Sequence, residues 1–202
     1  MSAEGSTGST SRFHGPGKVR WRRFAIVAVP AVAIAGVLVG LTAQGAIASS
    51  ISVSGEEYTV TASQLTGTGF EQFGGEVSNA KGPQPVIVSA INRAKLTDLC
   101  QAVTIGPVTL RLTAGDAGTP ASADNLIVDA SGQTGSVATF TNISIGLDAG
   151  TLTEDPGTTG AAGGFGEQAD TVTIDNLNQD TWLTTAGTFT LPDLRLGFGG
   201  GC

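Results

Sequence analysis

The stretch Val108-Thr109-Leu110-Arg111-Leu112-Thr113 alternates apolar and polar residues without a break. Successive side chains of a strand point to opposite faces, so this spacing predicts a half-buried β-strand. The same period recurs at Phe140-Thr141 leading into Ile143, Ile145 and Leu147. It appears again at Val172 and Ile174 about Thr173, and at Leu194-Arg195-Leu196-Gly197-Phe198. From Ile51 onward Thr and Gly are frequent while Lys, Met and Glu are sparse, a composition that disfavours long helices. The expectation is an all-β domain, a curved antiparallel sheet or sandwich, with a β-solenoid as the alternative.

A weak repeat accompanies the alternation. Ala94–Cys100 (AKLTDLC), Ala123–Asp129 (ADNLIVD) and Ala169–Asp175 (ADTVTID) share the form Ala-polar-(polar)-apolar-x-apolar. Their starts lie 29 and 46 residues apart, too uneven for a solenoid period, and each is expected to open a pair of strands. Three Gly/Pro/Ala-rich stretches read as connections: Gly74–Pro85, Ala114–Ser122 and Asp148–Gly166. The last is long for a compact domain and, carrying no special chemistry, reads as loose.

Ahead of this region the composition changes twice. Residues 1–23 carry five positive residues against one acid, a net +4; beyond residue 48 five positives face sixteen acids, a net −11, giving the −7 of the 202-residue chain. Between them Phe24–Ala48 is uncharged over 25 residues, which as a helix would reach about 37 Å, enough for a hydrocarbon core of about 30 Å. It shows no polar face at helical spacing, as a core helix would. Lys18, Arg20, Arg22 and Arg23 precede it, so the N-terminus stays cytoplasmic and the rest lies outside. Arg22-Arg23 reads as part of that positive flank rather than as a twin-arginine signal. The organisation is thus a disordered basic cytoplasmic tail (1–23), one transmembrane signal-anchor helix (24–48) and a β-rich extracytoplasmic domain (49–202). Ala46-Ile47-Ala48 resembles a cleavage site, so a signal peptide cut after Ala48, releasing a secreted domain, is the alternative.

The only cysteines, Cys100 and Cys202, lie on the exported side, where two thiols in an oxidising compartment read as one disulfide. Neither closely follows the apolar segment, which argues against a lipid-modified N-terminal cysteine. The only histidine, His14, precedes that segment, so the exported region has no imidazole for a Ser-His-Asp or Cys-His arrangement or for a histidine zinc site. There is no Gly-x-Ser-x-Gly elbow, no phosphate-loop Gly-Lys-Ser/Thr, no EF-hand, and no Asp-Thr-Gly or Asp-Ser-Gly triplet. Gly163–Asp170 begins like a calcium-binding nonapeptide but lacks its aspartate and does not recur. Acid pairs for general acid–base work would come from Glu56-Glu57, Asp124, Asp129, Asp148, Glu154-Asp155, Glu167, Asp170 or Asp175; the plainer reading of so many acids is a solvated surface. The −11 balance disfavours nucleic acid as a partner, and Asn142-Ile143-Ser144 fits a glycosylation sequon by chance as readily as by design.

The pieces RRFA (22–25), AQGA (43–46), LTGTGFEQFGG (65–75), AKLTDLCQ (94–101), LTAGDAGTPASADNL (112–126), ATFTNISIG (138–146) and FGEQADTVTIDNLNQDTWLTTAGTFTLPDLRL (165–196) carry a resemblance. Together they make the chain, from Arg22 onward, similar to an actinobacterial family of unknown function. The resemblance implies a membrane-anchored or exported protein. Some members carry a "cholesterol esterase" label, which would imply ester hydrolysis, but no catalytic residues come with the resemblance.

The combined expectation is a non-enzymatic cell-surface structural or binding domain on a single membrane anchor, with no cofactor or metal and with an envelope protein or lipid as partner. A carrier of lipid or another apolar ligand in a β groove is one alternative, and a carboxylate-dependent hydrolase the other.

Overall fold

The computed structural model describes residues 54–155 and 157–202; the tail and the apolar segment Phe24–Ala48 lie outside the described residues. Ten strands follow in order: β1 (Tyr58–Asn79), β2 (Gly82–Thr97), β3 (Leu99–Ile105), β4 (Val108–Ala114), β5 (Ala121–Thr134), β6 (Val137–Thr141), β7 (Ser144–Asp148), β8 (Phe165–Thr185), β9 (Thr188–Thr190) and β10 (Arg195–Phe198). The one further element is a single 3₁₀ turn, Ala149–Thr151. All ten strands belong to one sheet with antiparallel pairings, in the order β10-β4-β3-β1-β2-β5-β8-β6, with β7 on β8 and β9 on β5. The curved antiparallel sheet of the sequence reading is what forms. A solenoid would need parallel coils and a sandwich a second sheet, so neither alternative describes it.

The sheet curls because β8 pairs on both sides. Its second half lies along β5 and, through Leu177–Thr181, reaches the opening residues of β1, while the remainder of β1 pairs with β2. It is not a barrel, since β10 and β6 remain as edges. Inside the curl the main core gathers Val60, Leu65, Phe70, Ile91, Leu126 and Leu177 with smaller residues. Phe70 stacks obliquely on Phe140, with centroids 5.3 Å apart. A smaller core (Phe73, Val77, Val86, Val88, Ala149, Leu152) lies on the other face of the same strands.

Two faces of one strand pair are covered because the alternation slips. Gly69 has φ +66°, a backbone shape that an L side chain rarely adopts, and the β1–β2 ladder skips it between Thr68–Arg93 and Phe70–Ile91. On one side of this point Leu65 and Gly67 face inward; on the other Phe70 does, which turns Glu71 and Phe73 outward together. A Cβ at Gly69 would stand 2.7 Å from the Glu154 carbonyl oxygen, so glycine also admits the long loop.

One of the expected connections is not a loop, and another is not loose. β1 and β2 run straight through Gly74–Pro85 and turn only at Ala80-Lys81. Pro83 and Pro85 are tolerated because β5 takes up β2 only from Ile87, so no ladder bond is lost there. The 148–166 segment, expected to be loose, folds down on the outer face. Asp148 Oδ1 accepts from the Gly150 and Gly163 amides (2.9 and 2.8 Å), Gln168 Oε1 accepts from the Thr153 amide (2.9 Å), and Ala149, Leu152 and Asp155 are buried. The three repeat pieces do not become one structural unit: the first bridges β2 and β3 through a turn at Asp98, and the others lie inside β5 and β8.

Candidate functional site

Three places in the fold bring chemistry-bearing or partner-seeking residues together. The first is beneath the long loop. Glu71 is 0% and Asp155 1% exposed. Glu71 Oε1 accepts from the Asp155 amide at 2.7 Å, and Asp155 Oδ1 accepts from the Gly157 amide at 2.9 Å. Among the described residues Glu71 Oε2 has no hydrogen-bond partner. Burial, and to a lesser extent the neighbouring Asp155 and Glu154 carboxylates, push the Glu71 carboxyl above its usual range, while the backbone donors pull the other way. Asp155 and Glu154 were visible as candidates in the sequence, but Glu71 was not. The available signal was the spacing in Phe70-Glu71-Gln72-Phe73, which puts a carboxylate on the face of a phenylalanine.

The other candidate acids do not converge on this pair. Glu56, Glu57, Asp124, Asp148 and Asp170 are exposed. Asp170 accepts from Asn142 of the sequon, and Asp175 accepts from Gln64. Asp129 and Glu167 are raised by burial alone, in β5 and at the start of β8. Among the described residues no group of three His, Cys, Asp or Glu side chains is placed to hold a metal ion.

The second place is the interior of the curl. Its polar end pairs Gln72 with Ser89 (2.7 Å), Gln179 with Gln133 (2.8 Å) and Tyr58 with Thr184 (2.6 Å). The cavity that Ser89, Gln133, Gln179 and Thr184 share with Phe70, Leu126 and Leu177 measures about 20 Å³. That is room for about one water, against the ~300–1,000 Å³ of small-molecule sites.

The third is a ledge. β3 runs out of the core: Leu99 is sealed in it, yet two steps at a time along the same face come Gln101, Val103 and finally Ile105, which is 62% exposed. Cross-strand partners share a face, and the register sets Leu112 beside Gln101, Leu110 beside Val103 and Val108 beside Ile105. On the far side β10 adds Leu196 beside Leu112 and Phe198 beside Leu110; they are 64% and 80% exposed. The stretch that predicted a strand thus lays its leucines on an uncovered apolar front, half-buried where a core strand would hide them.

The back of the ledge carries the other alternate residues, Cys100, Arg111, Thr113 and Arg195. Here the expected cysteine pairing is found: Cys100 and Cys202 are disulfide-bonded with Cα atoms 5.8 Å apart, which ties the C-terminus behind β3. Arg111 Nε donates toward the Cys100 sulfur at 3.4 Å. A groove of about 350 Å³ on the front is lined by Ile105, Leu110, Leu112 and Leu196, and also by Ser54, Glu56 and Tyr58, where the chain enters the domain.

Searches of curated proteins and of solved structures gave no match. A family model does match, over residues 54–202, and covers the curled sheet, the long loop and the ledge alike. The chain belongs to DUF6230, a family of unknown function.

Proposed function

We propose that the chain is a non-enzymatic cell-surface binding domain on a single membrane anchor at residues 24–48. The observation that carries this reading is the ledge: an apolar sheet face, continuous with the core, left open to solvent and braced from behind by the disulfide. Exposed contiguous apolar surface of this kind marks interaction sites. The buried acids support a structural role for themselves. Glu71 and Asp155 are buried, and one oxygen of each accepts from a backbone amide, leaving a substrate no approach. Lys81 and Lys95, the only lysines beyond residue 48, are exposed on the surface, away from the buried acids.

The placement is tested on intact cells with a tag at the N-terminus and a protease site inserted in the exposed turn at Asp116–Thr119. External protease should cut that site and spare the tag. A site that is protected until the cells are permeabilised would refute the outward placement.

A further inference from the structure

We propose that the apolar front of the β3–β4–β10 ledge seats on the outer lipid surface of the membrane that holds the chain. The inference deepens the function proposed above and rests on its reading of Phe24–Ala48 as an anchor. Tether length carries it. Ser54 and Glu56 line the same groove as Ile105, Leu110 and Leu196. Only Ser49–Val53 separate Ser54 from Ala48. Even fully extended, those six steps span about 20 Å. The groove therefore starts within one short tether of the point where the apolar segment ends.

Two further features favour a lipid surface over a second copy. The strands of the front offer mainly Leu, Ile, Val and Phe side chains, and Glu56 is the one charged residue lining the groove, which suits a fluid apolar boundary rather than a fixed, charge-matched partner. A second domain would also bring another −11 of charge against the first. The same acidity opposes anionic headgroups, so the docking is apolar insertion, made intramolecular by the anchor and needing no high intrinsic affinity. The molecule supplies its own control. Ile143 and Ile145, 38% and 64% exposed, flank and occupy β7, which pairs with the start of β8, and they do not line the groove that Ser54 enters.

The test uses the full chain, methyl-labelled at Ile, Leu and Val, in phosphatidylcholine nanodiscs with and without nitroxide-labelled phosphatidylcholine. Methyl signals of Ile105, Val108, Leu110 and Leu196 should broaden severalfold more than those of Ile143 and Ile145. In L196S/F198S, whose altered side chains are exposed and so leave the fold intact, that excess should vanish. If the chain enters the discs and the ledge methyls are spared, or Ile143 and Ile145 broaden instead, docking fails while the anchor stands. Failure of the chain to enter the discs removes both. Ledge broadening that grows with protein concentration in the absence of nitroxide lipid would assign the face to a second copy and overturn the proposal.

Discussion

Glu71 joins the sheet to the long loop, and its chemistry is readable from three neighbours. Its Oε1 fixes the Asp155 amide, Gly69 two residues earlier leaves space for the Glu154 carbonyl, and its Oε2 goes without a partner. A buried acceptor left unmade typically costs about 1–3 kcal/mol. Because its carboxyl is held above the ordinary value, the folded protein binds the extra proton in the interval between the unfolded and folded values. The contribution to stability is therefore greatest on the acid side, falls as pH rises through that interval, and is flat above it. Glu71→Gln keeps the oxygen that holds the loop and replaces the orphaned one with a donor beside Asp155. Thermal unfolding followed from about pH 4 to 8 should show a higher midpoint for the variant at neutral pH and a flatter slope. Some slope should persist, because Asp129 and Glu167 are raised in the same direction. An unchanged slope with a lower midpoint would mean that Glu71 is not the titrating clasp. The residue was hidden in the sequence because Gly69 moves the alternation by one place, and only the structure shows where a glycine takes positive φ.

At the scale of the element, β10 is the strand with least to hold it. All four of its residues are exposed, and it lies at the edge with one ladder, to β4. What ties it down is the Cys100–Cys202 bond beyond it, closing a loop of 102 residues. In the chain-entropy account such a closure contributes about 4–5 kcal/mol, and removing a native bridge from a small secreted domain typically costs about 2–5 kcal/mol. Cys202→Ser should lower stability by that amount, and hydrogen exchange should locate the first loss in Arg195–Phe198. β1 and β8 should stay protected. Equal protection of β10 in the variant would show that the ladder to β4 suffices without the bridge. This element was legible in advance: the 194–198 alternation named the strand, and two cysteines alone on one side of an apolar segment named the bond. The long loop was not, because its anchors are two carboxylates (Glu71 and Asp148), one amide side chain (Gln168) and the residues Ala149 and Leu152 in the core of Phe73, none of which stands out in the sequence.

At the scale of the whole molecule, the alternation and the abundance of Thr and Gly made the sheet readable. The pairing that produces its curvature was not, since which strands β8 takes on its two sides is long-range information. For function, the informative reading was an exclusion, and it yields the last prediction: the purified chain does not hydrolyse steryl esters. A serine or threonine hydroxyl becomes a nucleophile only when a base takes its proton. The sole histidine, His14, precedes the apolar segment. Lys81 sits in the β1–β2 turn with its Nζ donating to the Gly55 carbonyl, and Lys95 is exposed on β2, so among the described residues neither is hydrogen-bonded to a serine or threonine hydroxyl. The carboxylates best placed to cooperate, Glu71 and Asp155, are buried, with one oxygen of each held by a loop amide. Turnover of steryl and p-nitrophenyl esters by the full chain, prepared from a host lacking esterases, should equal that of the Glu71→Gln and Lys81→Met/Lys95→Met variants, at the buffer rate. Saturable hydrolysis by the parent that is lost in either variant would put a working base back in the domain and make the chain a hydrolase.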